Sequence, residues 1–101
     1  MSSPRYTVRL LEEAAAEVRQ AVRWYRRASP GVDKEFLATF TRAVGAIRQN
    51  PNAYPQVLGT ARRVLLRRFP YAVYYAVFGT NILILACYHT RRDPAALKDR
   101  L

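Results

Sequence analysis

The positions of the hydrophobic residues divide the first half of the chain into segments with two different periods. Residues 6–10 alternate between apolar and polar side chains, a period of two that predicts a strand. Apolar residues then recur at intervals of three or four from Leu11 to Tyr25 and again from Phe36 to Ile47, as in amphipathic helices. Ser29-Pro30-Gly31 interrupts the helical pattern, and Asn50-Pro51 ends it. The pattern therefore predicts a strand followed by a helical hairpin.

The second half of the chain has the pattern of a sheet. Residues 50–60 are rich in proline and asparagine, and we expect a loop there. The segments that follow are rich in Val, Leu and Tyr, which favours strands. Phe69-Pro70 predicts a corner between two of them, and Gly79-Thr80-Asn81 predicts a hairpin turn. The predicted strands of this half are residues 62–68, 71–78 and 82–89.

The order of these elements predicts the fold class. It is β-α-α-β-β-β, and we expect one α+β domain over residues 1–101, with the helical hairpin packed on one face of a small antiparallel sheet. Tyr71 to Tyr88 carries apolar residues at both odd and even positions, so the sheet face away from the helices must be covered or form an apolar floor. Pro94 begins a tail that predicts a short terminal helix.

The charge of the chain indicates which class of partner the domain binds. Seventeen Lys and Arg face seven Asp and Glu, which gives a formal net charge of +10. This exceeds the magnitude of about 2–8 that keeps a small domain soluble. All the basic residues except Lys34 and Lys98 are arginines, whose planar guanidinium suits bidentate contact with phosphate or carboxylate. The composition therefore indicates a nucleic acid, an acidic protein, or both as partners.

The single cysteine and single histidine limit the chemistry. Cys87 cannot form an internal disulfide, which fits a reducing cytoplasm, and we expect a small buried hydrophobe rather than a nucleophile. His89 has no Cys or second His to join it, so we expect no metal and no cofactor. The first residues lack the apolar region of a signal peptide, and the longest apolar run, residues 82–88, is too short to span a bilayer. We therefore expect a cytoplasmic protein.

Five sequence segments, taken in order, carry a resemblance to a known family. They are Trp24-Tyr25, Asn50-Pro51, Arg67-Arg68-Phe69-Pro70-Tyr71, Tyr74-Tyr75 and Tyr88-His89-Thr90-Arg91-Arg92-Asp93-Pro94. Together they resemble the RelE/ParE family of toxins from type II toxin–antitoxin systems. The resemblance covers nearly the whole chain, and it implies a toxin that is held inactive in a hetero-oligomer with a cognate acidic antitoxin.

Family members that cleave ribosome-bound mRNA need an acid, a base and cations around the scissile phosphate. The resemblance implies His89 as the acid or base, with Tyr88 beside it. Neighbouring residues of a strand point to opposite faces, so the arginines expected on the strand over residues 62–68 cannot all line one surface. The residues expected to bind the target or its phosphates are Arg63, Arg67, Arg68, Arg91 and Arg92.

The chain departs from the ribonuclease pattern in two places. Residues 49–61 contain no Lys, Asp or Glu, and the tail after Pro94 contains no tyrosine, unless Tyr88 takes that part. ParE-like members poison DNA gyrase and need only a surface of complementary shape and charge. We therefore expect a gyrase poison, with ribosome-dependent mRNA cleavage as the alternative. A third possibility, from a different class, is a non-toxic partner-binding module.

Three residues of these segments allow a purely structural interpretation. Trp24 and Tyr25 continue the apolar stripe of the first helix, and we expect both of them in the core. His89 has the same strand parity as Leu85 and Cys87, so it either ends an apolar row or contributes to function.

Overall fold

The computed structural model describes residues 5–101, and it confirms the α+β class and the helical hairpin. The acidic Glu12 and Glu13 begin the first helix, where they favour the positive end of its dipole. Gly31, with φ 97°, makes the tight connection to the second helix in a left-handed conformation that side chains disfavour. In chain order the elements are β1 (Thr7–Leu10), α1 (Glu12–Ala28), α2 (Val32–Gln49), β2 (Gln56–Leu58), β3 (Ala61–Leu65), β4 (Tyr71–Phe78), β5 (Asn81–His89) and a C-terminal 3-10 helix (Pro94–Arg100).

The sheet is mixed rather than wholly antiparallel, with the strand order β1-β5-β4-β3-β2. The strands from β2 to β5 are antiparallel, but β1 lies parallel to β5, with Leu10 opposite Ile84. The alternation of side chains in β1 does not reveal this direction. The direction depends on how the helical hairpin connects β1 to the rest of the sheet, and β5 lies far away in the sequence. The short strand β2 was predicted as loop, and it pairs with the start of β3 at Arg62 and Ala61.

The helices bury their apolar stripes against one face of the sheet, which we call the helix face. Tyr75 lies fully buried there, and its hydroxyl donates a hydrogen bond of 2.6 Å to the Pro51 carbonyl oxygen. That bond and the apolar contacts hold the end of α2 against the sheet. The core of this face includes Ala14, Val18, Ala21, Phe36, Phe40, Ile47, Val64, Val73, Tyr75, Ile82, Ile84 and Cys87.

A β-bulge in β5 reverses which side chains face the helices. Tyr74 pairs with Ala86 while Tyr75 pairs with Ile84, so Leu85 has no partner on β4. Ile84 therefore belongs to the core under the helices, whereas Leu85 and Ala86 both belong to the core on the opposite face. The expected parity fails at this point: Cys87 faces the helices, but Leu85 does not.

The opposite face of the sheet, which we call the far face, is covered by the C-terminal segment. Leu97 of the 3-10 helix is fully buried in the far-face core, and Leu101 reaches the vicinity of Gly59 at the end of β2. The apolar character expected on both faces is therefore explained by two cores, one under the helices and one under the tail. The far-face core consists of Ala61, Ala72, Tyr74, Ala76, Leu85, Ala86, Tyr88 and Leu97.

The Glu17 carboxylate joins the tail, α1 and β5. One oxygen accepts a hydrogen bond of 3.0 Å from the Cys87 backbone N–H, on the part of β5 that extends beyond β1. Arg100 donates to both carboxylate oxygens, at 3.1 and 2.8 Å, and also to the Leu85 carbonyl oxygen at 2.9 Å. These bonds to Glu17 raise the pKa of Arg100. Arg92 adds a longer contact of 3.4 Å. The side chains of Glu17 and Arg100 are only 10% and 13% exposed, so the pair is largely desolvated.

We predict that Glu17→Gln lowers the free energy of unfolding by about 3–5 kcal/mol, because it leaves a buried guanidinium without its counter-charge. Equilibrium unfolding in urea measures the change. The matched control is Glu12→Gln, which breaks the exposed pair of Glu12 with Arg19 and should cost less than about 1 kcal/mol. Equal effects of the two substitutions would contradict the central role of Glu17.

Candidate functional site

Six aromatic rings pack together where α1 ends, α2 begins and the strands β4 and β5 meet. The Tyr25 ring stacks on Phe36 with centroids 5.4 Å apart and contacts Phe69 edge-on at 5.1 Å. Edge-to-face and stacked pairs of this kind stabilise an arrangement beyond the area that they bury. The cluster therefore fixes four elements of the chain relative to one another. We call Trp24, Tyr25, Phe36, Phe69, Tyr71 and His89 the aromatic cluster.

The aromatic cluster brings three arginine-containing segments to one end of the molecule. Residues 23–27 at the end of α1, 67–69 before β4 and 89–92 after β5 each join cluster members to arginines in the sequence. The Thr90 N–H donates a hydrogen bond of 2.8 Å to the Pro70 carbonyl oxygen, which ties the second and third segments together. We call the exposed surface of the second and third segments the arginine-rich end, and its arginines are Arg67, Arg68 and Arg91.

His89 lies half-buried at the end of β5 on the helix face. It pairs with Tyr71, and the two rings lie 5.3 Å apart. Its Nδ1 accepts a hydrogen bond of 3.1 Å from the Arg91 backbone N–H. One ring nitrogen is thus committed to the turn that follows β5. His89 therefore orders the approach to Arg91 as well as contributing an imidazole to the arginine-rich end.

Tyr88 lies on the opposite side of the sheet from His89. Its side chain is 1% exposed in the far-face core, with the Arg92 guanidinium 3.9 Å from the ring centroid and that of Arg100 5.2 Å away. Its hydroxyl is buried without a hydrogen-bond partner among the described residues. His89 and Tyr88, the two residues expected to be catalytic in an mRNA-cleaving toxin, are therefore separated by the sheet and by the tail that covers Tyr88.

Arg67 and Arg68 lie in a turn rather than on the strand predicted over residues 62–68. The strand β3 ends at Leu65, and the turn returns the chain to β4. Both arginines are exposed, and Arg68 has φ 69°, a left-handed conformation that costs a side-chain-bearing residue about 1–2 kcal/mol. On a strand, the two neighbouring side chains would point to opposite faces of the sheet. In this turn both can lie on the same side, next to the aromatic cluster. The alternation argument therefore does not apply to them.

The other three predicted binding residues, Arg63, Arg91 and Arg92, lie in three different environments. Arg63 pairs with Tyr74, whose side chain lies in the far-face core, so Arg63 is on the far face and away from His89. Arg91 is exposed at the arginine-rich end, whereas Arg92 bends back over Tyr88 to reach Glu17. The structure thus brings Arg67, Arg68, Arg91 and His89 to one end of the molecule and separates Arg63 from them.

Trp24 is the residue that sequence reasoning misjudged. Its side chain is 61% exposed, although it contacts Tyr25 edge-on at 5.0 Å, so it was wrong to place it in the core. Tyr25 does lie against the core, as expected. The signal was present in the helical spacing, because Trp24 shares a face with Gln20 and Arg27 and lies at the border of the apolar stripe.

A groove of about 690 Å³ lies between α2 and the end of β3. Because β2 pairs only with Ala61 and Arg62, the outer edge of β3 at Leu65 has no strand beside it among the described residues. Leu65 is 59% exposed beside the groove. The charged residues of the lining are Arg42, Arg67 and Arg68 together with one carboxylate, that of Glu35, so the groove is positive on balance. The groove thus combines an open strand edge, apolar contact and a cation, which suits an extended acidic segment.

Two further classes of site are absent from residues 5–101. No group of three or more His, Cys, Asp and Glu side chains lies close enough together there to hold a metal ion. No helix in the same range has the length and hydrophobicity needed to cross a membrane. The only imidazole of the chain is that of His89.

We predict that Arg68→Gly raises the free energy of unfolding by about 1 kcal/mol, because glycine adopts a positive φ without strain. A change of this size shifts the melting temperature of a small domain upward by about 4–8 °C, which differential scanning calorimetry measures. Arg67→Gly, beside it and without a positive φ, should give no such gain. Stabilisation by both substitutions, or by neither, would contradict the assignment of strain to Arg68.

We predict that the Cys87 thiol reacts only after unfolding. Burial, with a smaller contribution from the Glu17 charge, raises its pKa from 9.0 to about 12. The thiolate fraction at pH 8 is therefore about a thousandfold below that of an ordinary cysteine, and the side chain is 2% exposed. Ellman's reagent should label the folded protein slowly and the protein in guanidinium chloride at once. Rapid labelling of the folded protein would contradict this.

Comparisons with known proteins identify the family. A family model described as "ParE toxin of type II toxin-antitoxin system, parDE" matches residues 8–94. The fold is similar to a solved structure titled "Chromosomal ParDE TA system from P. aeruginosa", with a TM-score of 0.76 and 21% identity over 86% of this chain and 98% of that chain. At this identity the likeness supports the fold alone. A search of curated proteins found no match. Because the family model covers most of its length, this chain belongs to the ParE toxin family of type II toxin–antitoxin systems.

Proposed function

We propose that this ParE-family toxin arrests growth by docking its arginine-rich end on DNA gyrase, and that a cognate acidic antitoxin neutralises it. The observation that carries the proposal is the convergence of Arg67, Arg68 and Arg91 on one rigid aromatic support. A gyrase poison acts by binding and needs a preorganised surface more than a catalytic group. Exposed arginines around aromatic rings are the residues that dominate binding energy at protein interfaces.

The strained turn at Arg68 supports a binding role for this end. Backbone strain persists where the surrounding structure enforces it, and it is concentrated at functional sites. Here the strain aims two arginines outward beside Phe69, which is buried in the aromatic cluster. A loop selected only for stability would be expected to hold glycine at this φ.

The alternative, cleavage of ribosome-bound mRNA, has weaker support. General acid–base catalysis needs two groups within reach of the same reacting atoms. His89 and Tyr88 lie on opposite faces of the sheet, and Tyr88 is buried under the tail. His89 alone remains at the arginine-rich end, next to Arg91. Ribonuclease activity would therefore need a second catalytic group from another residue or from the ribosome.

The groove beside α2 supports the second part of the proposal. An extended antitoxin segment lying along β3 would gain backbone hydrogen bonds at Leu65, and its acidic side chains would meet Arg42 and Arg67. Arg67 lines the groove and also belongs to the arginine-rich end. An antitoxin bound there would neutralise part of the surface proposed to contact gyrase. Such an overlap accounts for inhibition without any change in the fold of the toxin.

The test is a supercoiling assay with purified gyrase, relaxed plasmid and the purified chain. We predict inhibition together with an accumulation of cleaved plasmid. Arg67→Ala/Arg91→Ala should weaken the inhibition by about tenfold or more, which corresponds to about 1.4 kcal/mol of lost binding. His89→Asn, which can still accept the hydrogen bond from the Arg91 N–H but cannot act as a general acid or base, should change it by less than about twofold.

The matched control is Arg5→Ala/Arg9→Ala, which removes the same charge from exposed positions near β1 and should leave inhibition unchanged. Induction in a bacterium with pulse-labelling of new protein separates the alternatives. A prompt loss of translation that His89→Asn abolishes would contradict the proposal and support mRNA cleavage. Unimpaired growth with soluble protein present would contradict both and support a non-toxic binding module.

A further inference from the structure

The second half of α1 carries a surface that the proposed function does not use. Trp24 is 61% exposed and is the only tryptophan of the chain. A helix of 3.6 residues per turn places Gln20, Arg23 and Arg27 around it on the solvent side, one turn or less away. We call these four residues the Trp24 face.

The charges along α1 are divided between its two halves. Its three acidic residues, Glu12, Glu13 and Glu17, all lie before residue 18, and its four arginines all follow. Two of these arginines are compensated, because Arg19 pairs with Glu12, and Arg26 with Asp33. Arg23 and Arg27 make no ion pair among residues 5–101. The two guanidinium groups beside the indole therefore keep their full charge for an external anion.

The support beneath Trp24 is rigid. The Tyr25 ring meets the indole at an interplanar angle of 90° and is itself stacked on the buried Phe36. An exposed indole usually loses conformational freedom when it binds a ligand, and this loss is smaller where one edge is already packed. The Trp24 face thus combines a preorganised aromatic platform with two arginines that make no ion pair among the described residues.

The composition of this face distinguishes between two classes of ligand. A protein partner would be expected to meet several large apolar side chains around Trp24, because the anchors of an interface cluster together. Here the exposed neighbours within one helical turn are Gln20, Arg23, Arg27 and the small Ala28, so no second large apolar side chain accompanies Trp24. A single aromatic platform flanked by cations instead matches the recognition of unpaired nucleotides, in which a base stacks on the ring and phosphates bind arginine.

We propose that the Trp24 face binds single-stranded DNA, with a base stacked on Trp24 and the adjacent phosphates on Arg23 and Arg27. The choice of DNA over RNA rests on the proposed function, because the proposed target acts on DNA. Base stacking itself is tolerant of sequence, so the site should accept any unpaired run. The Tyr25 ring contacts both Trp24 and Phe69, so the face lies next to the arginine-rich end.

The sole tryptophan reports on this binding directly. We expect a single-stranded oligothymidylate of about 12 nucleotides, added to the purified full chain without gyrase, to quench Trp24 fluorescence at low salt. For contact with two phosphates, the affinity should fall with salt with a log–log slope of about −1.4, since each phosphate on a single strand contributes about −0.7. Anisotropy of the labelled oligonucleotide should show about tenfold weaker binding by Trp24→Ala, and a smaller loss for Trp24→Phe. Both variants should stay folded because the side chain is exposed.

Arg23→Ala should reduce the salt slope by about 0.7, whereas Arg9→Ala, which removes one charge from β1, should leave it unchanged. Equal effects of these two substitutions would overturn the proposal, because binding would then follow net charge alone. Equal quenching by polyglutamate, or tighter binding of duplex DNA or of oligouridylate, would also overturn it. Gyrase is absent from the measurement, so loss of oligonucleotide binding and loss of gyrase inhibition are separate results.

Discussion

The architecture depends on one desolvated carboxylate. Glu17 lies where β5 extends beyond its parallel neighbour β1, and it satisfies the Cys87 N–H that a longer strand would otherwise have paired. The same carboxylate binds Arg100 through two hydrogen bonds and so fixes the tail over the far face. Leu97 can then bury fully against a sheet face that would otherwise expose a continuous apolar surface. One charged residue thereby holds in place the segments that cover both hydrophobic cores, although its desolvation costs free energy.

The bulge at Leu85 and the aromatic cluster convert this scaffold into a binding surface. With regular alternation through β5, His89 would share a face with Leu85; the bulge instead turns His89 toward Tyr71 and sends Tyr88 under the tail. The rings then hold the ends of four elements together. Arginines that neighbour those rings in the sequence become neighbours in space. The backbone of the arginine-rich end is therefore held rigidly by the aromatic cluster, and only the guanidinium groups move freely. This favours tight binding with little loss of conformational entropy.

The arginines that give the chain its net charge of +10 fall into two groups, those in ion pairs and those without one among the described residues. Glu17, Asp33 and Glu12 compensate arginines that stabilise the fold. Burial alone would raise the pKa of Asp33, but hydrogen bonds from Arg26 and the Gly31 N–H hold that pKa below its ordinary value. The arginines left uncompensated lie mainly at the arginine-rich end and along the Trp24 face, where they give a field that attracts anionic partners. Some arginines thus stabilise the fold, and other arginines remain available to bind partners.

The sequence by itself determined the α+β class, both helices with their ends, the strands β4 and β5, the start of β3 and the basic character of the surface, because each of these follows from local period, helix-breaking residues and composition. It also placed Cys87 inside and Arg91 outside. Alternation along the predicted strand over residues 82–89 already implies opposite faces for Tyr88 and His89, and the place of Trp24 at the border of the helical stripe indicates its exposure. The sequence could not give the parallel direction of β1, the bulge that decides which of Tyr88 and His89 faces the helices, or the role of Glu17. These three features were decided by the tertiary structure. Each depends on which distant residue occupies the adjoining space, and a local pattern carries no information about that neighbour.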